Sequence, residues 1–255
     1  MKHTGRLMNQ LAVFGVAMIT AFATSTGQAQ STQQGKAQVR AVHGSARYST
    51  GGGAWMELKT GTVLTSGAVV STATGSHVDL YLGINGPVVR VKEDTTLGID
   101  KLTYTDTGAD AVVETQLNLQ KGTIMGSVRK LAAASRYEIK TPSGVAGIRG
   151  TDYVITHTMI VFIIKGLGHV AYILPDGNIL SESVSSGEMF VPPGTKRPIT
   201  KEEYDRYAPE IGQMIANITG TTTPVDRDRI FIFDEPLIGD RPVSPVNGEN
   251  GDYDR

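Results

Sequence analysis

Between residues 35 and 191, apolar and polar side chains exchange places at almost every step. AQVRAV, HVDLYLG, VVRVKE, AVVETQLNL, GTIMGSV, RYEIKT and HVAYIL all repeat with a period of two. Successive side chains of a strand point to opposite faces, so this period is that of strands with one face in a core. Turn-forming clusters separate the runs: STGGGA at 49–54, NGP at 85–87, DTGAD at 106–110, QKG at 120–122 and PDGN at 175–178. Short strands divided so regularly predict a mainly β domain, an antiparallel β-sandwich or β-roll.

Two stretches depart from the alternation. MIVFII, residues 159–164, is apolar on both faces and predicts a central strand. The glycines at 166 and 168 then predict a reversal, which would make MIVFIIKGLGHVAYIL a buried hairpin. The other departure follows VPPGTKRP, where TKEEYDRYAPEIGQMIANITG reads as helix. Thr200 with Glu203 three places on forms a capping box, and the acids beside it suit the positive end of the helix dipole. Pro209 removes a backbone donor, which predicts two short helical pieces instead of one long one.

The ends of the chain read differently. Lys2 and Arg6, the apolar run LAVFGVAMITAFA and the small-residue exit GQAQ follow the order of a secretory signal peptide over residues 1–29. The apolar run is shorter than the roughly 18–20 residues needed to cross a bilayer. The competing reading is a retained N-terminal anchor. Cleavage would leave a mature chain without a transmembrane span, exported to the periplasm or beyond a bacterial cell. The resulting division is 1–29 leader, 30–195 β domain, 196–220 helical segment and 221–255 tail. The tail is rich in Pro, Gly and acids and is expected to stay largely disordered, since it offers little apolar surface to offset ordering entropy. One run inside it differs: Ile230, Phe231, Ile232 and Phe233 form a strand-like patch, expected to dock on the domain or to pair with a partner by strand addition.

Charge and chemistry narrow the function. The whole chain holds 24 basic and 25 acidic residues and no cysteine. It therefore lacks the concentrated positive field that nucleic-acid binding needs, and it has neither disulfides nor thiolate chemistry. GLGHVA at 166–171 fits a dinucleotide fingerprint on paper, but a strand and a turn follow it where a helix is required. His43, His77, His157 and His169 stand apart in sequence, with no zinc-binding spacing. His157 and His169 could still meet across the expected hairpin. No nucleophile elbow or phosphate loop is present. Cofactors are expected to be none, and the chain is expected not to be an enzyme.

The densest signal is TPSGVAGIRGTDY at 141–153. Pro142 stiffens the entry to a tight corner, Gly147 and Gly150 free its backbone, and Thr151 and Asp152 lead back to strand. Arg149 carries five donors in a planar fork. It is expected to pin this structural turn through Asp152 or nearby carbonyls, the alternative being direct contact with an anionic ligand or partner.

These residues resemble the signature of the FecR domain family, in which a Thr-Pro pair, small apolar residues and an Arg-Gly-Thr triplet precede a strand. GTVLTSGAVVSTATGSHVDLYLG, VVRVKEDTTLGI and LQKGTIMGSV are similar to the family's preceding strands, so the likeness spans roughly residues 36–165. It implies a β domain outside the cytoplasm, in a family whose best-known members relay a transporter's state to a sigma factor. Those members place a helical segment in the cytoplasm and cross the membrane once. The apparent leader here leaves no such segment, so sigma-factor contact is not expected. The resulting expectation is an exported, non-enzymatic binding, adaptor or signalling module of the envelope, touching an envelope protein or a cell-surface polymer. Two alternatives stand beside it: a structural surface protein, and a carbohydrate-active hydrolase whose site assembles only in three dimensions.

Overall fold

The alternating runs pair into one sheet that curls back on itself. The computed structural model describes residues 31–108 and 110–219; residues 1–30 and 220–255, with Ile230 to Phe233, lie outside them.

Two long strands organise the sheet. Gly144–Thr156 and Val161–Ile173 pair antiparallel over their length, and each belongs to two arms. The residues nearer Gly144 and Ile173 join a first arm. In it, Arg136–Thr141 lies on one side and Ile179–Ser185 on the other. Beyond Arg136–Thr141 that arm continues through Ala111–Lys121, Thr96–Asp106, Ala68–Thr72 and Ala46–Thr50. The residues nearer Thr156 and Val161 join a second arm. There Thr123–Ser127, Val88–Val91, His77–Tyr81 and Ala37–His43 follow in order, with Glu188–Val191 and Thr195–Pro198 on the far side. Because two strands are common to both arms, the sheet is a roll. One pairing departs from the antiparallel expectation: Ala111–Lys121 and Arg136–Thr141 run parallel.

The inner faces of the arms close on one core. Leu97, Ile99, Leu117 and Ile139 of the first arm cluster with Val39, Leu80, Val89, Ile124 and Ile155 of the second. Removing this apolar surface from water is the main driving force for the curl.

The long strands bend where one arm gives way to the other. Gly150 has φ 63° and Gly166 has φ 98°, a region that side chains disfavour. The ladder shifts register between Arg149 and Asp152, as at a β-bulge. Residues 147–152 are therefore a crease within a strand, not a turn between strands. Gly166 and Gly168 likewise do not reverse the chain. Val161–Ile173 is continuous, and the reversal comes earlier, at Thr156–Ile160, where Ile160 donates its amide to Thr156. Pro142 sits just outside, in the turn between Arg136–Thr141 and Gly144–Thr156.

The outer face of the second arm is covered by one helix, Lys201–Thr219. Ala208, Ile211 and Met214 recur at helical spacing and pack with Val88, Met125, Val154, Phe162 and Ile164. This explains MIVFII: Val161 and Ile163 face the inner core, while Phe162 and Ile164 face the helix. The helix passes through Pro209 without breaking. Pro209 is on the exposed side, where water can satisfy the carbonyl it leaves unpaired, and packing of the opposite side holds the helix together. The capping box forms as read: Glu203 receives the Thr200 amide at 2.9 Å and donates its own to the Thr200 hydroxyl at 3.2 Å. Arg197 adds two hydrogen bonds to the Glu203 carboxylate, at 2.6 and 2.9 Å. No helix among the described residues is long and apolar enough to cross a membrane.

Candidate functional site

Among the described residues, no helix covers the outer face of the first arm. Its strands present polar side chains in an interlocking lattice. Lys101 pairs with Glu114 at 2.6 Å, Gln116 donates to Glu138 at 3.2 Å, and Lys140 donates to Gln116 at 2.8 Å. The pattern is what alternation predicts for a face left in water.

A shallow depression of about 310 Å³ interrupts this lattice beside the crease, lined by Glu138, Val145, Gly147, His169, Ser181 and Ser183 among others. Register explains it. Glu138 lies opposite Gly147, Gly147 opposite His169, and His169 opposite Ser183. The row therefore has side chains at both ends and none over Gly147. A Cβ built there would meet nothing closer than the His169 carbonyl oxygen, at 3.9 Å. The His169 Nδ1 lies 3.0 Å from the Ser183 hydroxyl.

Arg149 stands two residues further along the same face, exposed. Its guanidinium makes no hydrogen bond or ion pair with another described residue, so the expected bond to Asp152 is not formed. Thr151 holds the corner instead. Buried to 1% exposure, its hydroxyl donates to the Leu167 carbonyl at 2.8 Å, has the Arg149 carbonyl at 3.0 Å, and receives the Leu167 amide at 3.3 Å. Asp152 turns elsewhere. Burial pushes its carboxyl up, opposed by a hydrogen bond from Ser127 and by the charge of Lys165.

Arg149 has basic company. The segment after Thr123–Ser127 runs along the crease, with Val128 donating its amide to the Thr151 carbonyl at 2.9 Å. The Lys130 backbone lies against Gly150, 3.4 Å from where a Cβ would stand. Arg129 and Lys130 are exposed and, like Arg149, form no ion pair with another described residue. The register that sets Glu138 opposite Gly147 carries Arg136 toward Arg149, and Arg136 touches Glu138 only loosely, at 3.6 Å. Arg129 and Lys130 line a second depression together with Asp106 and Asp110, and Arg136 and Arg149 form a short basic rim beside the hydroxyl-lined hollow. Composition could not show it, because the chain's total charge is balanced; only the crease gathers these cations.

The remaining histidines serve other ends. His157 lies nowhere across a hairpin from His169; its Nδ1 receives the Gly122 amide at 3.1 Å and ties down the turn before Thr123–Ser127. His43 and His77 stack at 5.0 Å. No group of three or more metal-ligating side chains gathers among the described residues.

A second feature escaped the sequence. Asp79 and Arg90, opposite each other in register, form a two-point pair at 2.6 and 2.8 Å. Both are buried on the arm whose outer face the helix covers. Burial and complete pairing mark it as structural.

Residues 68–166 match the model of a protein family described as FecR protein. The match begins at Ala68–Thr72 and ends at Gly166, so it takes in the crease and the Arg-Gly-Thr triplet. It leaves out His169, Ser181, Ser183 and the helix. No curated protein matches the chain.

Proposed function

We propose that this chain, which carries a FecR-like domain, is an exported, non-enzymatic adaptor of the cell envelope that meets its partner on the creased outer face of the first arm. At the coarser level, the FecR family supports a module of the signalling or adaptor kind. The observation that carries the finer reading is Arg149. A residue of the family's own triplet stands exposed at the crease with its donors uncommitted, among other cations. A purely structural arginine would be spent on neighbouring acceptors, and here Thr151 does that work. The partner is an envelope protein or a cell-surface polymer, and residues 230–233 of the tail form a second contact by strand addition.

A second reading rests on the His169–Ser183 contact, which resembles the base and nucleophile of a hydrolase. Among the described residues no carboxylate orients the imidazole, and both side chains are exposed. The adaptor reading accounts for more of the face.

A photo-crosslinker in place of Leu167, which is exposed and lies opposite Arg149, tests the adaptor reading in intact cells. A discrete adduct that disappears with Arg149→Glu is expected. No adduct after verified export, or an adduct indifferent to Arg149→Glu, overturns the assignment of this face.

A further inference from the structure

The second depression, of about 420 Å³, carries charge of both signs around an apolar floor. Asp106 and Asp110 come from the hairpin that joins Thr96–Asp106 to Ala111–Lys121, and Arg129 and Lys130 from the segment after Thr123–Ser127. All four are exposed, and none forms an ion pair with another described residue. The backbone explains why the two sides do not close on each other. In the hairpin, Thr107 donates its amide to the Asp110 carbonyl at 2.9 Å. One oxygen of each carboxylate is also engaged there, Asp106 by the Gly108 amide and Asp110 by the Ala111 amide, both at 2.8 Å. The cationic segment is held by the Val128 amide on Thr151 and by Leu131, which packs against the inner core. Two fixed walls of opposite sign thus face the same space.

The floor between them includes Ile84, which is 48% exposed. Its position is built. The neighbouring Asn85 is fully buried; its side chain donates to the Thr103 carbonyl at 2.8 Å, and its own carbonyl receives the Thr115 hydroxyl at 2.6 Å. Buried hydrogen bonds therefore fix a turn that holds an isoleucine in water. An apolar centre within a charged surround is the anatomy of a protein interface. A uniformly acidic partner would be repelled by one wall, and a uniformly basic partner by the other. The fitting partner carries both signs in the reverse order around an apolar centre. This same surface, turned about a two-fold axis along the floor, meets that description, because the rotation sets each acidic wall against the other copy's basic wall.

We propose that two copies of the chain associate through this depression, with Asp106 and Asp110 of each against Arg129 and Lys130 of the other and Ile84 at the centre. Association here neither needs the adaptor reading nor follows from it.

Charge exchange gives a selective test. The full chain, purified after export, is followed by analytical ultracentrifugation over a range of concentrations, with thermal melting to verify folding. A dimer is expected whose dissociation constant rises about ten-fold or more from low to high salt. Arg129→Glu with Lys130→Glu, and separately Asp106→Lys with Asp110→Lys, should each leave a folded monomer. An equimolar mixture of the two variants should associate again, to within about ten-fold of the wild-type affinity, since each reversed wall then meets its opposite. Ile84→Ser should weaken the dimer about ten-fold or more. The arginine and lysine exchange leaves the hairpin untouched, so it reports on the interface even where the aspartate exchange disturbs folding. A wild-type monomer at every concentration overturns the proposal and gives the depression to a different molecule carrying both signs. A dimer indifferent to Arg129→Glu with Lys130→Glu or to Ile84→Ser overturns it as well, as does a mixture of folded variants that stays monomeric.

Discussion

Thr151 closes the crease onto Leu167 from both sides, donating to its carbonyl and accepting its amide. The hydroxyl is buried, so Thr151→Val keeps the shape and leaves backbone groups unpaired. It is expected to cost about 1–3 kcal/mol, and Thr151→Ser much less. Arg149→Ala, on the exposed side, is expected to change stability by no more than about 0.5 kcal/mol. Urea denaturation of the three variants checks the division of labour. An Arg149→Ala protein less stable than Thr151→Val would reverse it.

The Asp79–Arg90 pair, with side-chain exposures of 0% and 5%, carries a different expectation. Removing either partner leaves a buried charge alone, so Asp79→Leu and Arg90→Met should each destabilise by about 3–5 kcal/mol. The double variant should recover much of that loss, since an apolar pair needs no mutual neutralisation. A double-mutant cycle by chemical denaturation measures the coupling, and additive losses would refute it.

Gly166 and Gly168 look equivalent in the sequence and differ in the roll. A Cβ on Gly166 would stand 2.2 Å from the Gly150 carbonyl oxygen, at φ 98°. On Gly168 the nearest atom is the end of the Ile163 side chain, at 2.9 Å, which can move. Gly166→Ala is therefore expected to destabilise by at least about 2 kcal/mol, and Gly168→Ala by clearly less. Paired thermal melts decide the order.

Glu203 ties the helix start to the sheet. Its hydrogen bonds from Arg197, helped by the Thr200 amide, hold its carboxyl down to about 2. A depressed carboxyl contributes stability that is complete above its unfolded value of 4.5 and is lost as pH falls from there toward 2. Glu203→Gln should lower the melting temperature at neutral pH and shrink its fall between pH 5 and pH 2. Parallel acid titrations of the two proteins read the difference, and identical slopes would remove Glu203 from the linkage.

Much of the roll was written in the sequence, because a period of two survives any arrangement of partners. The strands, their turns, the capping box and the central place of MIVFII are local properties of side-chain order. The helix ran on through Pro209 because Ala208, Ile211 and Met214 pack against a sheet that local propensity does not register. The glycines misled for a related reason. A positive φ serves a turn and a crease equally, and only the partner strand decides between them. Arg149 stands out in the sequence between two glycines and is expected there to pin the corner, yet the side chain that closes it is the neighbouring Thr151. The hollow and its rim were not legible at all. Glu138, Gly147, His169 and Ser183 come from four strands, and register alone sets them in a row.

Strands that belong to two arms have a mechanical meaning. The chain from Val161 to Ile173 runs unbroken from beneath the helix to the hairpin beside the hollow. A pull on the first arm is thus carried along covalent bonds into the second, where it meets ladders on both sides of the strand loaded together in shear. The arms cannot be peeled apart one hydrogen bond at a time. Under a pull on the first arm, a contact made on its outer face therefore yields before the fold does.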